Sequence, residues 1–140
     1  MKGILSRLQS IREIKKKQAW MDLVEAERLR EDQHAHLLAL ESEVAESRNI
    51  DDEAEACWEA HRHSWSLQME MKRRLAEQTL AKYTSEREER RAALEAARRE
   101  VRIVELVLER IAAEEAAEER RQEIRDNDEI GTMSWCREVG

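Results

Sequence analysis

Between Ile4 and Ile130 the chain contains neither glycine nor proline. A compact domain of 140 residues spends those residues, with Asn and Asp, on its turns. Here the backbone has almost nowhere to reverse. Ala, Glu, Arg and Leu dominate, and these are strong helix formers. The fold class that follows is all-α, built from a few long helices.

A thick core is excluded by composition. Aromatic residues make up 4% of the chain and charged residues 41%. The longest aliphatic run is Leu37–Leu40, and the run from Ile103 to Leu108 is broken by Glu105. Neither approaches the roughly 20 apolar residues that cross a bilayer. The basic N-terminal segment lacks the apolar centre of a secretion signal, so export by the general route is not expected. Cys57 and Cys136 are isolated and read as free thiols of a reducing compartment.

Periodicity sets the architecture. From Met69 a 4-3 series runs through Arg73, Ala76, Leu80, Tyr83, Arg87, Arg90, Leu94, Ala97, Val101, Val104 and Leu108 to Ile111. An earlier series runs from Ala19 through Leu23, Ala26, Arg30, Gln33, Leu37 and Leu40 to Val44. Such a/d spacing is a coiled-coil seam. The two series are out of phase, so the helix is interrupted between Val44 and Met69. Two breaks compete. Residues 47–52 offer Asn49 to end a helix and Asp51 to cap the next. Residues 60–66 lie nearer the middle and offer Ser64. The later turn gives Val101–Ile111 a partner on the first arm, with Leu23 facing Val104–Leu108 and Ile4 facing Ile124.

Charge points to the same orientation. Lys2, Arg7, Arg12, Lys15, Lys16 and Lys17 dominate 2–17, while 111–126 is rich in acids; 41–59 is acidic and 72–87 basic. Exposed pairs are each worth ~0–1 kcal/mol, so they select orientation more than they stabilise. The predicted fold is a long antiparallel two-helix coiled-coil hairpin in one domain. Its first helix spans about 4–61, the turn 62–66, the second helix 67–130 and a C-terminal tail 131–140. Gly131 is expected to end the second helix at the C′ position, with "TMSW" as an apolar contact behind it.

Candidate chemistry is sparse. Cys57, His61 and His63 form C-x3-H-x-H, but a structural zinc site needs four ligands, and His34 and His36 are too far along the same helix. No metal and no cofactor are expected. No phosphate loop, catalytic triad or cleft can be assembled on two rods, so an enzyme is not expected. The net charge of −7 and the pairing of basic with acidic segments disfavour nucleic acid. Arg30, Gln33, Arg87 and Arg90 occupy seam positions, either as snorkelling side chains or as a stretch that a partner completes. Trp20, Trp58, Trp65 and Trp135 avoid the seams and cluster toward the ends and the turn.

The segment "LSRLQSIREIKKKQA" (5–19) and the closing "RRQEIRDNDEIG" (120–131), on a charged hairpin of this size, resemble the type III export stalk family. That family comprises flagellar FliJ proteins and injectisome proteins of the YscO type. The resemblance implies a monomeric cytoplasmic protein, peripheral to the inner-membrane secretion apparatus, that links a hexameric export ATPase to the export-gate membrane protein. Contact with export chaperones is also implied. Both termini would enter the ATPase ring, which assigns Ile4, Leu8, Ile11, Ile124, Ile130, Met133 and Trp135 to ring contacts. Gate binding in the family uses a Gln followed by apolar residues at 4-3-4 steps; Gln33, Leu37, Leu40 and Val44 fit that spacing, without the aromatic residues expected among them. A holdase for coiled-coil cargo and a dimerising scaffold are the alternatives, and stoichiometry separates the three.

Overall fold

A computed structural model describes residues 2–50 and 56–139, all of them helical. Helix α1 spans Lys2–Ile50 and helix α2 spans Ala56–Val139. They pack against one another as an antiparallel hairpin. The chain divides into two units, 15–97 and 1–14 with 98–140.

In the 15–97 unit the register is fixed by polar contacts across the pair. Glu27 lies 3.9 Å from Arg87 and Glu41 lies 3.9 Å from Arg73. The Arg30 Nε donates to Thr84 Oγ1 at 3.2 Å. All three pairs have their midpoint at residue 57. Leu37, Leu40, Met69 and Ala76 form the buried cluster, with Val44, Trp65 and Leu80 packed against it. Ala26 and Leu94 are buried further along the same seam.

In the other unit Arg12 bonds Glu100 at 2.9 Å, and Val101 and Val104 are buried. Among the described residues, every buried one belongs to one of the two 4-3 series. No described side chain is fully enclosed, as expected of a seam only two helices thick.

The reversal differs from the expected one. Residues 62–66 are helical, inside α2. Nothing in 60–66 forces a break: Ser and His have helix propensities within about 0.7 kcal/mol of Ala, and Trp65 and Met69 pack onto the Leu37–Leu40 cluster. Helix α1 is described as far as Ile50; residues 51–55, which include the expected cap Asp51, lie outside the described ones. A midpoint at 57 instead of 64 shifts each partner by two whole heptads. The same face of each helix therefore still meets the other, but the individual pairs change. Asp22 meets Arg90 at 3.9 Å, so Leu23 lies near Arg90 rather than Val104. Ile4 does not face Ile124.

Gly131 does not end α2. The helix continues to Val139, no glycine has a positive φ, and Thr132 Oγ1 donates to the Asp128 carbonyl at 2.8 Å as an ordinary helical i−4 contact. A glycine inside a helix costs about 1 kcal/mol relative to Ala, which a long helix tolerates. The stretch "TMSW" is therefore helix rather than tail.

Within the 1–14/98–140 unit, extending the Arg12–Glu100 register to Lys2 brings α1 to its first residue opposite Arg110. From Ala113 to Val139 α2 runs on with no α1 alongside, and all of it is exposed except half-buried Ala117. At 1.5 Å per residue this extension is roughly 40 Å long.

Candidate functional site

The polar seam positions are occupied within the hairpin. Gln33 Nε2 donates to the Ala76 carbonyl at 3.2 Å. Thr84, which accepts from Arg30, donates its own hydroxyl to the Leu80 carbonyl at 2.8 Å. Arg87 and Arg90 reach Glu27 and Asp22. These side chains lie along the seam with polar partners on the opposite arm, while the Arg87 Nε atom is enclosed without a hydrogen bond.

This geometry bears on Gln33, Leu37, Leu40 and Val44. All four lie on one face of α1, and that face is turned onto α2. Leu37 is 8% exposed and Leu40 9%, and Val44 packs on the same cluster. A different stripe is open nearby: Leu67, Met71 and Leu75 of α2 are all more than half exposed. Their spacing of four and four falls outside the 4-3 seam. That off-seam repeat of large apolar residues is the signal the periodicity reading passed over.

The residues assigned to the ends are open. Ile4, Ile11, Ile124, Ile130, Met133 and Trp135 are exposed, and Leu8 is half-buried. Ile124, Ile130, Met133 and Trp135 lie on the unpaired extension of α2, well beyond the level of Ile4 and Ile11. The acidic block 111–126 is largely past the end of α1 instead of opposite 2–17. Its ion pairs within α2 include Arg110 with Glu114, and Arg121 and Arg125 with Glu118. Ile103, Leu106 and Val107 are also exposed, on the side of α2 turned away from the seam.

The sequence matches the family described as "Flagellar FliJ protein" over residues 1–140. The chain belongs to the FliJ family. Membership implies a component of the flagellar export apparatus, in a family of non-catalytic export components. No curated protein and no solved structure matches it significantly.

One open trough of this FliJ-family chain runs along α2, lined by Glu77, Leu80, Ala81, Thr84, Ser85 and Glu88. Among the described residues no group of three His, Cys, Asp or Glu could hold a metal ion; His61 and His63 are exposed on α2, and the Cys57 side chain lies outside the description. No described helix is long and apolar enough to cross a membrane.

Proposed function

We propose that the chain is the central stalk of the export ATPase, coupling the ATPase hexamer to the export gate. The observation that carries this reading is the extension of α2 past α1: a single helix from Ala113 to Val139 with Ile124, Ile130, Met133 and Trp135 exposed. A lone helix is about 10–12 Å across with its side chains, slim enough for a pore that a thicker bundle would not enter. Its exposed apolar side chains give the ring something to hold, and Ile4 and Ile11 extend that contact to the start of α1. On the cytoplasmic side of the membrane, the 15–97 unit would meet the gate. There Gln33, Leu37, Leu40 and Val44 hold the arms together, so their contribution to gate binding is to keep the rod intact. Leu67, Met71 and Leu75 are the apolar side chains open to the gate. Export chaperones would meet the exposed flanks of the same rod.

The test is ATP hydrolysis by the secretion ATPase with and without this chain. Full-length protein should stimulate hydrolysis at one chain per hexamer. A chain ending after Arg125 should lose the stimulation while keeping the helical signal of the paired section. Equal stimulation by both would remove the ring role of the extension.

A further inference from the structure

The last forty residues of α2 carry two apolar stripes, and α1 covers one of them. The covered stripe is the seam through Val101, Val104 and Leu108. The second, at helical spacing on the opposite face, passes through Ile103, Val107, Ile124, Gly131 and Trp135. Ile103, Ile124 and Trp135 are each at least 60% exposed. Charged residues continue the same line: Arg99 before Ile103, Arg110 after Val107, Asp128 before Gly131 and Glu138 after Trp135.

Read in the reverse direction, the two ends of this stripe complement one another. An antiparallel copy of α2 centred on Glu119 sets Ile103 beside Trp135, Val107 beside Gly131 and Arg110, which also pairs with Glu114 of its own helix, beside Asp128, while Ile124 falls beside Glu114 at the less complementary centre. Asp128 has no ion pair of its own among the described residues. A parallel copy would set Arg110 against Arg110 and Asp128 against Asp128. Net charge agrees. Residues 2–14 and 98–112 sum to +3 and residues 113–139 to −5, so the antiparallel arrangement lays each acidic extension along the basic paired section of the other copy.

We infer that the free chain forms an antiparallel homodimer through this outward stripe of α2. Gly131 then has a purpose. It sits mid-helix, where glycine weakens the helix, and a Cβ placed there meets nothing within 4 Å. No contact inside the chain requires the small residue. Opposite Val107 of a second copy, the missing side chain lets the two backbones approach. The dimer departs from the monomer expected from the sequence. It also covers Ile124 and Trp135, so the dimer and ring entry would exclude one another; that consequence rests on the stalk reading, whereas the dimer does not.

The test is sedimentation equilibrium of the full chain from about 1 to about 100 µM at low salt, since an interface of two helices is expected to bind in the micromolar range. The mass should rise with concentration toward twice the 16.5 kDa of the chain. Gly131→Gln should weaken association about tenfold or more while helicity stays level or rises. Arg110→Asp and Asp128→Arg should each weaken it by a similar factor, and the double swap should recover most of the loss. A monomer across the whole range overturns the inference. So does a dimer that ignores Gly131→Gln and both charge swaps. A monomer that sediments with vesicles of anionic lipid would also overturn it, and would give the stripe to a membrane surface.

Discussion

Arg12 and Glu100 meet at 2.9 Å between the two helices of the hairpin. That single contact sets where α1 runs out along α2, and so how much of α2 is left alone. Moving it by two heptads, to the level of Glu114, would carry α1 to the level of Ile124, pair a little under half of the extension and lay most of the acidic block along the basic N-terminus. The functional reading follows from this register more than from any one side chain.

Seam leucines should dominate stability. Leu40→Ala removes a side chain that is 9% exposed and should destabilise the chain by about 2–4 kcal/mol, read as a lower urea midpoint by circular dichroism. Leu75→Ala, on the open stripe, should stay within about 0.5 kcal/mol of the parent.

Arg87 lies in the seam with its Nε unbonded, while Glu27 is 43% exposed and can return to water. Arg87 is itself 21% exposed and its pair with Glu27 is long at 3.9 Å, so the pair contributes about 0–1 kcal/mol, less than an apolar side chain packed at the same seam position. Arg87→Leu should therefore raise the thermal midpoint, by an amount corresponding to about 1 kcal/mol.

At concentrations low enough to keep the chain monomeric, the extension should behave as a separate, weakly protected element. An isolated helix of this length is marginal in water, so its amides should exchange much faster than those around Leu37 or Val101. Brief trypsin treatment should cut first after Arg120, Arg121 or Arg125. The trimmed hairpin should unfold within about 0.5 kcal/mol of the full chain, because the lost residues pack on nothing; mass spectrometry and urea titration check both points.

How much of this was legible in the sequence depends on what heptads encode. They specify a face, and Ala26, Leu37, Leu40, Met69, Ala76, Leu94, Val101 and Val104 were all on the predicted one. They do not specify register, because a slip of two heptads returns the same face. Pairing Leu23 with the apolar run near Val104 was therefore as consistent with the pattern as the observed pairing with Arg90. Gly131 misled for a related reason: C′ glycine is a local rule, and a helix with good formers on both sides overrides it. The outward stripe of α2 was missed because Arg110, Glu114, Arg121 and Asp128 interrupt it, so it does not read as apolar until its reversed copy is laid beside it.

The register is tested most directly by spin labels at exposed positions in a background where Cys57 and Cys136 are replaced by Ser. With its midpoint at residue 57 the hairpin sets Asp32 level with Lys82, whereas a reversal at 62–66 would set it level with Ala96. Double electron–electron resonance should therefore give a short distance for labels at Asp32 and Lys82. The Asp32–Ala96 pair should be displaced by fourteen residues of α2, about 21 Å along the axis at 1.5 Å per residue. The opposite order, with Ala96 the near partner, would move the end of α1 up the second helix and leave no unpaired extension of this length to dock.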